Sequence, residues 1–319
     1  MPVEIPMLRI LLVATAINIL SATAPAGVNG TIRIGVLTDM SSFFADYLGP
    51  GSVIAAKLAV QEFRRQSKLE IEVISADHQN KADVGASIAR RWFDTDGVDM
   101  IIDLPNSSVA LAVSDIAREK NKVAIGSGAG TAVLTGEKCS PNFVHWTYDT
   151  WGNAHALTRA VFNSGAKSWF FITADYAGGH DLEKQAMNEV LANGGRVLGS
   201  VRHPLGSNDM SSFIVSALAS KADVIALANA GTDTVNTIKQ LADFKVSANQ
   251  RIVALSFDLQ SVRPIGLSAA HGLTTLNAWY WDLNESNAEM VESLSGRTSE
   301  EGYAKPHAGG HLLRRIALP

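Results

Sequence analysis

Ser107 and Ser108 stand where a strand-like run, Val98 to Leu104, gives way through Pro105-Asn106 to a helix-like one. In the latter, Val109, Leu111, Ala112, Ile116 and Ala117 recur at helical spacing before the polar Arg118-Glu119-Lys120. A strand, a tight loop and a helix N-terminus leave backbone N–H groups and two hydroxyls at the carboxyl edge of a sheet. That arrangement suits a small anion such as a carboxylate. The alternative is that Ser107 or Ser108 only caps its own helix.

Motifs for covalent chemistry are missing. GSGAGTA is not G-x-G-x-x-G, and neither a phosphate-binding G-x-x-x-x-G-K-[ST] nor a G-x-S-x-G elbow occurs. The eight histidines are scattered, and the helical spacing of His307 and His311 falls in a glycine-rich tail, so no metal site is expected. Asp77-His78 and Asp94-x-Asp96 read as solvated loop groups, and Arg64-Arg65 as a solvated helix end. Of the adjacent rings Trp279, Tyr280 and Trp281, at least one is expected in a core, because neighbours on a strand alternate faces. Cys139 is the single cysteine, which excludes an internal disulfide and offers no catalytic arrangement. These absences point away from an enzyme and from any cofactor.

The 319 residues suit two domains, and 46% apolar with 18% charged residues describe a folded chain rather than a disordered one. A net charge of −4 removes the general electrostatic case for nucleic acid or an anionic membrane as partner. At the N-terminus, Arg9 precedes an apolar run to Leu20 that is too short to span a bilayer, and Ala24-Pro25-Ala26 gives a small-x-small cleavage pattern. Residues 1–26 therefore read as a signal peptide. With no later apolar run of membrane-spanning length, the mature chain is expected to be soluble and exported.

Strands and helices alternate along the rest. Thr31 to Thr38, Leu69 to Ala76, Val98 to Leu104 and Val123 to Ile125 read as strands, separated by helices over Gly49 to Gln66, Lys81 to Phe93 and the Ser107 segment. A second series follows: strands at Asn142 to Trp146, Ser168 to Thr173, Arg196 to Val201, Val224 to Ala228 and Ile252 to Ser256. Its helices run over Asn153 to Phe162, His180 to Ala192, Met210 to Leu218 and Thr234 to Phe244. Gly272 to Trp281 reads as a strand returning to the first series. Such alternation predicts an α/β chain of two doubly wound parallel-sheet lobes, with a ligand cleft between them lined by loops at the strands' carboxyl ends.

The motifs IRIGVLTDMSS, LPNSSVALAVSDIAREKNK, GAGTAVLTGEKCSP, VHWTYDT, WFFITADYAGGH and ANAGTDTVNTIKQ resemble the branched-chain-amino-acid-type solute-binding proteins of bacterial ABC importers. The likeness is to the subgroup that takes aromatic or other small carboxylates, and it covers roughly Thr31 to Leu283. It implies the type I periplasmic binding protein fold: lobe 1 over 30–147 plus 277–319, and lobe 2 over 148–276. It further implies a monomeric periplasmic receptor that takes a small carboxylate, amino acid or aromatic or aliphatic acid, to an inner-membrane ABC permease. A ligand sensor for a signalling partner is the alternative role. Carried over motif by motif, the resemblance places ligand contacts at Ser41, Ser42, Ser107, Ser108, Gly128, Ala129 and Thr131 from the first lobe. From the second it places Tyr148, Tyr176, Asn229 and Asp258, the last facing a ligand ammonium group.

Two departures stand out. Where the family usually carries an aromatic residue before the glycine that follows TADYA, this chain has Gly178-Gly179, which predicts a wider pocket or weaker stacking. GYAKPHAGGHLLRRIALP starts like the family and then diverges, as from a shifted frame, so lobe 1 is expected to lack covering elements and to expose apolar sheet surface, as a non-functional product would.

Overall fold

A computed structural model describes residues 30–244, 246, 250–258, 261–277 and 284–285. The leader, Trp279 to Trp281, His307, His311 and the divergent tail lie outside them.

The first series folds as β1 (Ile32–Thr38), α1 (Gly49–Phe63), β2 (Ile71–Asp77), α2 (Ala82–Asp94), β3 (Met100–Asp103), α3 (Ser107–Glu119), β4 (Val123–Gly126), a 3-10 turn (Ala132–Leu134) and β5 (Phe143–His145). Its five strands are all parallel, in the order β2-β1-β3-β4-β5. The second series is α4 (Thr150–Asn163), β6 (Ser168–Ala174), α5 (Ala177–Ala192), β7 (Arg196–His203), α6 (Ser211–Ala219), β8 (Val224–Ala228), α7 (Gly231–Asp243), β9 (Arg251–Ala254) and the single turn α8 (Val262–Ile265). Its four strands, again parallel, run β7-β6-β8-β9.

The second sheet explains its own sequence. Every residue of β6 is buried, with Trp169 and Phe171 packed into one core and Phe170 and Ile172 into another on the opposite face. β8 divides likewise, Val224, Ala226 and Ala228 against Ile225 and Leu227. A strand covered on both sides has no polar face to alternate with, hence the continuous apolar runs. In the first lobe Leu37, Ile101, Trp92, Val109 and Val113 form the main core beneath α2 and α3.

Some expectations need correction. Three helices begin a full turn before the sequence placed them: α4 at Thr150, α5 at Ala177 and α7 at Gly231. Their first turns carry no apolar residue in register with the core, so periodicity finds them late. His78 is fully buried, not solvated, and burial pushes its imidazole down to about 4. Of Gly272 to Trp281, the described part makes one parallel bridge, Thr274 to Val253. Val144 on β5 and the adjacent Trp146 are exposed, while the segments expected to cover the first lobe lie outside the described residues.

In both sheets the strand order reverses beside the first strand laid down, between β1 and β3 and between β6 and β8. Crevices open at such points, at the strands' carboxyl ends.

Candidate functional site

A cavity of about 30 Å³ lies between the loops that follow β1, β3, β4 and β5 on one side and β6, β8 and β9 on the other. Each loop, with the helix that follows it, brings two or three residues to it.

The β1 loop is wound around Asp39, whose fully buried carboxylate accepts from the N–H of Ser42 (2.9 Å) and Phe44 (2.8 Å), from the Ser42 hydroxyl and from the Asn80 amide. Ser41 donates its hydroxyl to Asp77. Both serines are thus committed to the loop and face a separate surface groove beside Gln79, Asn80 and Leu205. They are not cavity residues, contrary to the sequence expectation. Phe44 and Tyr47 reach the cavity in their place.

After β3, Asp103 and Leu104 take positive φ (86° and 59°), an uncommon conformation for residues with a side chain. The Asp103 carbonyl then accepts the N–H groups of Ser127 and Gly128 (3.0 and 3.2 Å), holding the β4 loop against this one. Asn106 caps α3: its side-chain oxygen accepts from Ser108 N–H (2.8 Å) and Val109 N–H (3.3 Å). The cap is therefore neither serine, and both hydroxyls are released. Ser107 lines the cavity, and its oxygen accepts the Thr131 N–H (3.3 Å). Ser108 does not; its oxygen accepts the Ala177 N–H from the opposite lobe (3.4 Å).

In the β4 loop Gly128 and Gly130 line the cavity. Ala129 is buried away from it, with its carbonyl accepting from His145 Nε2 (2.7 Å), and the Thr131 hydroxyl donates to Asp181 (2.8 Å). Ala129 and Thr131 are supports, not lining groups.

Tyr148 and Tyr176 line the cavity. The hydroxyls of Tyr47 and Tyr148 meet at 3.1 Å, and Phe44 packs edge-on to Tyr176 at 6.5 Å. Burial raises all three phenols, Tyr148 to about 12. Asn229 is buried below the floor, taking the Thr234 hydroxyl (2.8 Å) and donating to Thr237 and to His203 Nε2 (3.2 Å each). The next two residues, Ala230 and Gly231, form the wall instead. Asp258 lines the cavity, and burial raises its carboxyl to about 6 despite a hydrogen bond from Tyr47.

Gly178 and Gly179 leave no room for a side chain in this structure. A Cβ at Gly178 would sit 2.8 Å from both Ser107 Oγ and the Tyr176 ring, and one at Gly179 would sit 2.2 Å from the Ala174 carbonyl. Gly178 lets α5 approach α3 closely, and Gly179 lets it sit on the ends of β6 and β8.

Four helices start at the cavity wall: α3 at Ser107, α4 at Thr150, α5 after Tyr176 and α7 after Ala230. Neither α5 nor α7 has a side-chain cap. Their positive ends border one small space, where they favour negative charge, although the Ala177 N–H already meets Ser108 and the Thr232 N–H the Phe43 carbonyl. Among the described residues no cluster of three or more His, Cys, Asp or Glu could hold a metal, and no helix is long and apolar enough to cross a membrane.

A family model described as periplasmic binding protein matches residues 31–313. The chain belongs to that family. It is 43% identical to a crystallised periplasmic binding protein from Burkholderia mallei, with a TM-score of 0.82 over 84% of this chain and 72% of that one. A branched-chain amino acid ABC transporter periplasmic ligand-binding protein from Burkholderia xenovorans LB400 is 32% identical, with a TM-score of 0.71 over the same shares. At 21% identity, a benzoate-bound solute-binding protein of an ABC transporter from R. palustris shares the fold, with a TM-score of 0.75 over 85% of this chain and 75% of that one. This member of the periplasmic binding protein family is thus a solute-binding protein of the type I fold and not an enzyme, and its family is exported.

Proposed function

We propose that this chain captures a small carboxylate between its lobes and delivers it to the permease of an ABC importer. Its leader would be residues 1–26, its first lobe 30–147 with 277–319 and its second 148–276, and it would act as a monomer in the periplasm. One observation carries the reading: four helix N-termini, the Ser107 side chain and two glycines of the β4 loop border one interlobe cavity. Backbone donors in a water-poor cleft hold a carboxylate without any cationic side chain.

The remaining walls describe the rest of the ligand. Tyr47, Tyr148, Tyr176 and Phe44 offer flat, apolar cover, as an aromatic acid or a branched side chain requires. Asp258 suits an ammonium group when ionised and a neutral acid when protonated, so both amino acids and aromatic acids fit the site. The B. xenovorans and R. palustris relatives represent these two classes. A cavity of about 30 Å³ holds about two waters, so the solute enters with the lobes apart and the tyrosines close over it.

A thermal-shift screen of the leaderless protein tests the reading with L-leucine, L-valine, benzoate and 4-hydroxybenzoate against leucinol and benzamide. At a hundred times Kd a true ligand adds about 2.7 kcal/mol, so carboxylates should raise the melting temperature and their uncharged counterparts should not. A folded protein that no carboxylate stabilises sinks the proposal.

A further inference from the structure

Asp181, one turn inside α5, is 5% exposed and outside the cavity lining. Its Oδ2 accepts from the Thr131 hydroxyl (2.8 Å), the Ala132 N–H (2.8 Å) and the Thr150 hydroxyl, and its Oδ1 from Gln185 Nε2 (3.1 Å). No lysine or arginine pairs with it among the described residues. A carboxylate buried among neutral donors is a costly way to join two helices and a loop. What it adds is direction, because it can only accept.

We propose that Asp181 is the positioning residue of the binding site, setting the Gly128–Thr131 loop against α3 so that the Ser107 hydroxyl is left to donate its proton to a ligand carboxylate. The inference rests on the carboxylate reading above.

The direction of each hydrogen bond follows from that single acceptor. Thr131 and Thr150 must turn their protons towards Asp181. Their oxygens then accept the N–H of Val133 (3.3 Å) and of Ala132 (2.9 Å). With Thr131 held at its hydroxyl and its neighbour held at the amide, its own N–H points at Ser107 Oγ (3.3 Å). Ser107 is thereby an acceptor on the loop side. Its proton meets no acceptor among the described residues, and its side chain borders the cavity. On the far side the Thr150 N–H clamps the Gly130 carbonyl (2.7 Å), fixing a second cavity-lining residue to the same joint. Two lobes meet here: Thr131 and Ala132 follow β4 of the first sheet, while Thr150 and Asp181 belong to α4 and α5, which pack on the second.

The test uses Asp181→Ala, Asp181→Asn, Ser107→Ala and the Asp181→Ala/Ser107→Ala double variant, with benzoate and L-leucine as calorimetric probes and amide hydrogen exchange without either. Asp181→Ala should weaken the probe that binds by about tenfold, whereas Asp181→Asn, which keeps an acceptor, should stay within about threefold of wild type. In the Ser107→Ala background Asp181→Ala should have almost no further effect on affinity, since both changes remove one interaction. Exchange at the Thr131 and Ala132 amides should speed up in Asp181→Ala while β6 and β8 stay protected. Additive losses of affinity, or unchanged protection at Thr131, would overturn the proposal. If neither probe binds wild type, the carboxylate reading has failed for these two ligands, and exchange at Thr131 still decides whether Asp181 holds the loop. Should Asp181→Ala not fold, Thr131→Val, which removes one of its donors, carries the same coupling to Ser107.

Discussion

Replacing Asp258 with Asn should make the protein more stable, but only above the pH at which the aspartate ionises. Burial lifts the Asp258 carboxyl from the ordinary aspartate range to about 6. The folded chain therefore keeps the proton to about pH 6, while the unfolded chain releases it near pH 4. Between those values the native state binds more protons, so its stability falls as pH rises, and the full cost is in place above pH 7. Two pKa units correspond to about 3 kcal/mol, an upper figure for a group with some solvent contact. Asn removes the ionisation and keeps an oxygen for the Tyr47 hydroxyl. Thermal melts of wild type and Asp258→Asn should coincide near pH 4 and separate by roughly 6–12 °C at pH 8, given about 2–4 °C per kcal/mol. The same variant sorts the ligands: L-leucine should lose affinity with the anionic partner of its ammonium group, whereas benzoate should keep or gain it. An equal melting difference at pH 4 and pH 8, or none at pH 8, would show that burial of an ionised Asp258 is not what the wild type tolerates.

The two adjacent serines should separate cleanly. Ser107→Ala should weaken carboxylate binding by about 1.5–3 kcal/mol, roughly ten- to hundredfold in Kd. Ser108→Ala, which loses only a 3.4 Å acceptor for the Ala177 N–H, should stay within about threefold by the same calorimetry. Asn106→Ala removes the acceptor for two α3 amides and a link to Asn80 (3.2 Å), and should lower stability by about 1–2 kcal/mol in denaturant titration. A silent Asn106→Ala would return the capping role to the serines.

How much was legible follows from where the signal resides. β6 and β8 declared themselves because strands buried on both faces are apolar at every position. α4, α5 and α7 were recognised only from their second turns, because the first turns, Thr150-Trp151-Gly152, Ala177-Gly178-Gly179 and Gly231-Thr232-Asp233, face the interlobe side and carry no core pattern. The resemblance named loops that border the cavity, and often residues in them that do not. Ser41, Ser42, Thr131 and Asn229 have hydroxyls or amides that look free in sequence, yet Asp39, Asp77, Asp181 and the His203 cluster engage them. Asp181 itself left no trace, since three of its four partners lie 31 to 50 positions away in the chain.

Because most of the cavity's wall stands on loops and first helical turns, with Asn153 and the core residue Leu182 the exceptions, and none on the interior of a strand, the chemistry of recognition and the stability of the chain are written largely in separate parts of the sequence. Tyr47, Tyr148 and Tyr176 can each be exchanged without opening a hole in either sheet's core. A new solute can thus be accommodated one wall at a time, each change judged by binding alone, while the anion-holding helix ends stay as they are. The architecture permits a gradual drift from one small acid to another, with the carboxylate as the fixed point and the ring or alkyl pocket as the variable.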